Sequence, residues 1–169
     1  GNAYFFTPFA DTYGEGVFMP DTGLVKFRNV CWFTNLDHGR RHQPLPLMSM
    51  TENLKFTKHK EIRGKTEYIG YDNYDAIEVP FTDAIPSDYD GVMGVPVSFL
   101  DKYNPEQFMI VGTSDNGLVD DIYKKTLGLT KNFVDDYYKA GGKGTYKEGN
   151  PTAGYYENNV AKMAYKRIF

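Results

Sequence analysis

The sequence predicts an α+β domain with short mixed or antiparallel strands, two or three helices and long loops. Three observations support this fold class. Aromatic residues make up 16% of the 169 residues, chiefly as 14 tyrosines and 12 phenylalanines, and such residues favour strands. Helical apolar periodicity is confined to two stretches in the last third of the chain. The intervening loops are longer than a compact domain carries without a binding purpose or an absent packing partner.

The first predicted elements follow from residue patterns between Leu24 and Leu100. Val25 and Phe27 alternate with Lys26 at the start of the strongest strand. The predicted order is a strand over 24–36, a turn over 35–39, a long basic loop over 40–70, a short strand over 74–79 ended by Pro80, turn-rich chain over 81–96 and a short apolar piece over 95–100.

The C-terminal elements have clearer start and stop signals. Asn104 before Pro105 is typical of a capped helix start. Thr130 is typical of a second cap, with Gly141 after the predicted helix. The predicted order is a helix start at 104–107, a strand over 108–111, a helix over 118–127, a second helix from 130 to the glycines at 141–142, a loop over 143–158 and an extended segment over 160–169. We predict that residues 1–169 form one domain or a domain fragment.

Composition indicates a cytoplasmic protein. The single cysteine, Cys31, excludes an internal disulfide framework and fits a reducing compartment. The sequence has no apolar run of the roughly 18 residues needed to cross a bilayer. The first residues also lack the basic and apolar regions of a signal peptide.

Charge is unevenly distributed along the chain. The net charge is −3, yet residues 26–65 carry nine Lys or Arg against three acids. Residues 71–107 reverse this balance, with eight acids against Lys102. A locally basic stretch in a mildly acidic protein can meet phosphate groups without making the whole surface basic. A solvated loop is the alternative explanation.

The sequence predicts no complete active site. Methylation of an exocyclic amine normally uses an Asn/Asp/Ser-Pro-Pro-aromatic tetrapeptide that holds the flipped base. The nearest match begins at Asn104 and lacks the second proline. Gly14-Glu15-Gly16 is the sole candidate for a donor-binding glycine turn, but no helical pattern follows it. We therefore expect no catalytic, cofactor-binding or metal-binding residues in this chain.

Four segments together resemble the EcoRI-type family of adenine-specific DNA methyltransferases. Their order and spacing carry the resemblance over about residues 30–112. The segments are Trp32-Phe33-Thr34-Asn35-Leu36-Asp37 followed by Arg40-Arg41; Tyr71-Asp72-Asn73-Tyr74-Asp75-Ala76-Ile77-Glu78-Val79; Asp90-Gly91-Val92-Met93-Gly94-Val95-Pro96; and Phe99-Leu100-Asp101-Lys102-Tyr103-Asn104-Pro105-Glu106-Gln107-Phe108.

The resemblance implies that this chain is the C-terminal portion of such an enzyme. In that family the donor-binding and Asn-Pro-Pro-Phe motifs come earlier in the chain. The chain would then supply the last strands of the methyltransferase sheet and the region that touches double-stranded DNA. S-adenosylmethionine would serve the full-length parent of a bacterial restriction–modification system. The upstream catalytic half of the same protein would be the partner of this chain, which we expect to be inactive alone.

Basic side chains are the predicted DNA contacts. Arg40 and Arg41 are the first choice because they follow a predicted strand. A second group consists of Lys55, Lys58, Lys60 and Arg63. Asn35 and Asn73 could pair with an adenine edge, although turn roles are the alternative for both.

Two other functions stay open at this level. A stand-alone DNA-binding module would bind duplexes without catalysis. A restriction-type nuclease would need Pro-Asp followed by Asp/Glu-x-Lys, and the candidate Glu61-Ile62-Arg63 lacks the lysine.

Overall fold

The computed structural model describes residues 3–6, 13, 17–27, 36–114 and 128–169. The chain divides into two compact units, Gly1–Asp37 and His38–Phe169. The described strands of the first unit form an antiparallel sheet in the order β1–β3–β2. These strands are β1 (Ala3–Phe6), β2 (Phe18–Met19) and β3 (Leu24–Phe27). Gly23, at φ +66°, lies in the turn between β2 and β3.

The second unit contains two helices and five strands among its described residues. They are α1 (Met50–Phe56), β4 (Ile77–Glu78), β5 (Met93–Pro96), α2 (Lys131–Lys139), β6 (Gly154–Glu157), β7 (Val160–Met163) and β8 (Arg167–Ile168). Short 3-10 helices span Gly39–His42, Thr82–Ala84 and Val97–Lys102.

A mixed sheet organises the second unit. Strand β4 runs parallel to β5, and β8 pairs antiparallel with the other side of β5. Single bridges add Gly70 outside β4 and Thr113 outside β8. One face of this sheet covers a core in which Val79, Ile85 and Phe99 are almost fully buried. The burial of such large apolar side chains is the main driving force for this unit.

A buried polar network crosses the same sheet. Arg167 Nη2 lies 2.5 Å from Glu78 Oε1, and the Tyr71 hydroxyl donates to Glu78 Oε2. The side chains of Glu78 and Arg167 are only 6% and 14% exposed. Gly94 on β5 makes room for this network, because a Cβ there would lie 2.2 Å from the Tyr71 hydroxyl oxygen. Two of the segments that carry the family resemblance therefore meet at this point.

Helix α2 packs against the β6–β7 hairpin. The Thr130 hydroxyl accepts from the Phe133 amide, as the sequence predicts for the cap, and Gly141 follows the helix at φ +84°. Phe133 is fully buried and meets Tyr156 edge-to-face at 5.0 Å between ring centroids. The fold class and this second helix are thus confirmed. The predicted helix over 118–127 lies outside the described residues.

Several local predictions were wrong. Residues 40–70 are not a continuous loop, because α1 lies within them and Ser49 and Glu52 form a reciprocal capping box at its start. Asn104 begins a single turn rather than a helix, with its side chain accepting from the Glu106 amide. Residues 108–111 are not a strand. The stretches 143–158 and 160–169 contain a hairpin and a further strand rather than one loop and one extended segment.

The chain divides into two compact units, and the assignment of residues 1–169 to one domain or domain fragment stays a prediction. In the described part of the chain, no helix has both the length and the apolar character that a bilayer crossing requires.

Candidate nucleic-acid interface

Arg40 and Arg41 lie on the 3-10 turn Gly39–His42. Arg40 is exposed, whereas Arg41 is partly buried and already engaged in a contact within the protein. His42 Nδ1 lies 2.9 Å from Glu106 Oε1, which ties this turn to the turn after Asn104. Arg40 is therefore the better placed of the two arginines to meet a partner.

The chain that leaves this turn is held by one glutamine. Gln107 Oε1 accepts from the Leu45 amide at 2.8 Å, and Gln107 Nε2 donates to the Leu45 carbonyl at 3.1 Å. A side-chain amide that satisfies both backbone groups of one residue acts like a short piece of sheet. These bonds join the chain just after Arg41 to the fourth segment of the family resemblance.

The end of α1 gathers a second set of cations. The chain turns back after the helix, so that the Gly64 amide donates to the Leu54 carbonyl at 2.8 Å. Gly64 adopts φ +86°, which glycine tolerates and other residues rarely adopt. This reversal places Lys55, Arg63 and Lys65 around one shallow hollow. Cations that are eight and ten positions apart thereby become neighbours.

Lys58 has a different environment from the other predicted contacts. Its Nζ lies 2.7 Å from Asp83 Oδ2, and His59 Nε2 lies 2.7 Å from Asp83 Oδ1. His59 also stacks on Phe81, with ring centroids 3.7 Å apart. Partial burial raises the pKa of Asp83, but the hydrogen bonds and charges of Lys58 and His59 outweigh it and bring the pKa to about 2. The charge of Lys58 is thus largely balanced within the protein.

Four of the predicted cations carry no acidic partner among the described residues. They are Arg40, Lys55, Lys60 and Arg63, and all four are exposed. An exposed, unbalanced cation can neutralise a phosphate and release a counterion condensed on the DNA. Lys55 and Arg63 line the same hollow, and Arg40 and Lys60 are further exposed cations of the candidate interface.

Asn73 is buried and occupied inside the fold. Its Nδ2 donates to the Thr152 carbonyl at 3.0 Å, and its Oδ1 accepts from the Gly154 amide at 2.9 Å. Contact with an adenine stays a prediction for Asn73, and it would require both hydrogen bonds to break. Asn35 lies outside the described residues.

Two cations absent from the predicted set lie beside this surface. Glu157 accepts from Lys65 through one oxygen and from Lys162 through the other. Hydrogen bonds from Lys162 and Lys65 hold the pKa of Glu157 below its usual range. The signal that could have found Lys162 is the hairpin pattern around it, with tyrosines before and valine after a pair of asparagines.

The absence of a methyl-donor site from this chain stays a prediction, because the candidate turn Gly14-Glu15-Gly16 lies outside the described residues. Donor sites of this kind need a strand that passes through a glycine-rich turn, and no strand in the described ranges does so before a helix. The cavity between β5 and residues 107–111, about 390 Å³ in volume, is lined largely by apolar groups such as Val92, Phe108 and Ile168. The described residues also contain no cluster of His, Cys, Asp and Glu arranged to hold a metal ion.

Comparison with known proteins identifies three curated relatives. The chain is 42% identical over 103 residues to the Type II methyltransferase M.EcoRI of Escherichia coli, covering 60% of this chain and 28% of the relative. It is 36% identical over 121 residues to M.MgeORF184P of Mycoplasma genitalium and 32% identical over 121 residues to M.MpnI of Mycoplasma pneumoniae. Both of these matches cover 72% of this chain and 35% of the relative.

The chain therefore spans about a third or less of the length of these relatives. No solved structure matches it. The family model described as adenine-specific methyltransferase EcoRI matches residues 1–169, which is the whole chain. The chain belongs to the EcoRI family of adenine-specific methyltransferases.

Proposed function

We propose that this chain is the C-terminal, DNA-contacting portion of a bacterial enzyme that methylates adenine N6 within a short duplex sequence. The parent enzyme would belong to a restriction–modification system and act in the cytoplasm. The observation that carries the proposal is a set of exposed cations with no acidic partner among the described residues, on a chain of this family: Arg40, Lys55, Lys60 and Arg63. Such cations supply affinity for the DNA backbone without reading its sequence.

The methyl donor would be bound by the upstream half of the same protein. S-adenosylmethionine supplies the methyl group when bound, and none of the described residues of this chain is assigned to hold it. The contribution of this chain is to hold the duplex in register, because phosphate contacts orient a protein on DNA. The parallel β4–β5 pair with antiparallel β8 would add the last strands to the methyltransferase sheet.

Salt-dependent titration of a DNA duplex with this chain tests the interface. Affinity should fall as salt rises, because each neutralised phosphate releases a condensed counterion. Arg40→Ala combined with Arg63→Ala should lower the slope of log affinity against log salt by about 2, roughly 0.9 for each lost phosphate contact. Arg41→Ala should have a smaller effect on that slope, because Arg41 is partly buried and engaged.

Lys131→Ala is the matched control for charge. Lys131 is exposed, but its Nζ lies 2.9 Å from Asp135 Oδ2 on α2, and it does not line the hollow beside α1. Lys131→Ala removes one positive charge and the double interface variant removes two, so the losses are compared per charge removed. Equal losses in the control and the interface variants would refute a localised interface. No binding to any duplex at low salt would refute DNA contact by this chain.

A second experiment tests the enzymatic role. The chain is mixed with the upstream half of the enzyme, and transfer of a labelled methyl group to adenine is measured. We expect methylation from the mixture and none from either half alone. A well-folded mixture that stays inactive would contradict the methyltransferase role, while duplex binding by this chain would then support the alternative of a DNA-binding module without catalysis.

A further inference from the structure

The β6–β7 hairpin ends in two exposed asparagines. Strand β6 ends at Glu157 and β7 begins at Val160, so Asn158 and Asn159 form the whole connection. Their φ angles of 52° and 62° are those of a type I′ turn, which matches the twist of a two-residue hairpin. Both side-chain amides lack a hydrogen-bond partner in the described part of the chain.

The two faces of the hairpin are held in place by different neighbours. On one face, Tyr156 packs against Phe133 and donates a hydrogen bond to Asp136 at 3.1 Å. On the other face, Tyr155 lies edge-on to Tyr71, with ring centroids 6.3 Å apart. A ribbon packed on both faces keeps its orientation, so the turn at its end is presented in a defined position.

The base of the hairpin is anchored by Asn73. Its side chain bonds to the Thr152 carbonyl and to the Gly154 amide, and the Asp72 amide donates to the Gly154 carbonyl at 2.8 Å. These bonds connect the hairpin to the segment that precedes β4. The hairpin is therefore fixed at its base and free at its turn.

Cations lie between the hairpin and the candidate DNA interface. Lys162 on β7 and Lys65 both donate to Glu157, which leaves one net positive charge at this position. Lys65 also lines the hollow that contains Lys55 and Arg63. A phosphate backbone bound at the hollow would run beside the hairpin.

We propose that the Asn158–Asn159 turn enters the major groove and reads the edges of adenine-containing base pairs. This inference rests on the proposed function and assigns sequence readout to two residues within it. A two-stranded β-ribbon fits the major groove, which is about 12 Å wide and 8.5 Å deep. The strands are packed on both faces within the protein, so the exposed turn at their end is the part that would enter the groove. An asparagine amide pairs with adenine by donating to N7 and accepting from N6.

Selection from a pool of duplexes with a randomised central segment tests this role. The wild-type chain should enrich sequences with adenine at fixed positions. Asn158→Gly combined with Asn159→Gly should bind the unselected pool with unchanged affinity and salt slope. Its preference for adenine at the positions read by the turn should fall about fivefold or more. Glycine adopts positive φ readily, so this variant should stay folded and unfold in urea at or slightly below the wild-type midpoint.

Two further variants complete the test. Asn158→Asp combined with Asn159→Asp keeps the side-chain shape but removes the amide donors, so adenine preference should also be lost. Asn132→Ala removes an exposed amide from neighbouring α2 and should keep the wild-type preference. Folded turn variants that retain the adenine preference would overturn this inference while leaving the proposed function intact. A wild-type chain that binds no duplex would overturn both.

Discussion

The buried network on the mixed sheet and the basic surface beside α1 use charge in opposite ways. Glu78 and Arg167 are withdrawn from water and satisfy each other through three contacts of 2.5 to 3.2 Å. Lys55 and Arg63 are exposed, and no acid balances them among the described residues. A buried charge needs a partner within the fold because it has lost its water. An exposed charge stays hydrated and remains available to bind a phosphate. Substitutions should therefore affect stability in the first region and binding in the second.

The largest expected effect on stability is that of Glu78→Gln. The change leaves the Arg167 guanidinium without its counter-charge in a site where its side chain is 14% exposed. Removing one partner of a buried ion pair costs about 3–5 kcal/mol. Urea unfolding followed by circular dichroism measures this loss.

Glu106→Gln is the matched control for that substitution. Glu106 also pairs with a basic group, His42, but its side chain is 69% exposed. Its loss should change the free energy of unfolding by less than about 1 kcal/mol. Similar losses in the two variants would mean that burial does not separate the two regions.

The next effect in size is that of Gly94→Ala. The added Cβ would lie within 2.7 Å of three atoms of the Tyr71 side chain, so the ring or strand β5 must move. Overpacking of this kind costs about 1–3 kcal/mol in a packed core. Gly39→Ala, where no atom lies within 4 Å of the new Cβ, is the control in the same urea measurement. A Gly94→Ala protein as stable as wild type would show that Tyr71 is free to shift.

The smallest of the three effects concerns Tyr68. Its hydroxyl donates to the Ala84 carbonyl at 2.6 Å, and Tyr68→Phe should cost about 0.5–1.5 kcal/mol near neutral pH. Burial, with a lesser effect of the Asp88 charge, raises the pKa of Tyr68 to about 12 from 10.0. The folded state thus retains this proton longer than the unfolded state. The contribution of Tyr68 is fully present below pH 10 and is lost as pH rises towards 12.

Urea unfolding at pH 9 and pH 11 measures this loss. The wild-type protein should lose more stability between these two values than Tyr68→Phe does. Other groups titrate equally in both proteins, so the difference isolates Tyr68. Parallel pH profiles for the two proteins would contradict a buried, proton-retaining hydroxyl at this position.

The parts of the fold that sequence predicts well have local causes. Helix α2 was predicted because Thr130 caps it and Gly141 ends it, and both signals lie within a few residues of the helix. Helix α1 was missed although Ser49 and Glu52 form a capping box, because the surrounding basic residues show no apolar period. Asn104 and Pro105 suggested a helix, but only one turn follows, and Phe108 packs edge-on to Phe99 instead.

The candidate site shows the same difference between features with local causes and features that depend on distant residues. Exposed cations such as Arg40 and Arg63 were chosen from the charge pattern along the chain, since surface charge needs no knowledge of packing, and their contact with DNA stays a prediction. The pairing of Lys58 with Asp83 joins residues 25 positions apart, and that of Glu78 with Arg167 joins residues 89 positions apart. No local pattern encodes such pairings. The internal role of Asn73 similarly depends on Gly154, which is 81 positions away.

The β6–β7 hairpin has a packed base and an exposed turn, and this difference bears on how target DNA sequences could diverge among relatives. The base of the hairpin contacts Asn73, Tyr71 and Phe133. Substitutions at these contacts would disturb the packing of the whole unit. The two-residue turn requires only a left-handed backbone conformation, which Asn, Asp and Gly all adopt. Under the proposed readout, substitution of one or both turn residues would change the recognised DNA sequence while the packing of the hairpin stays the same.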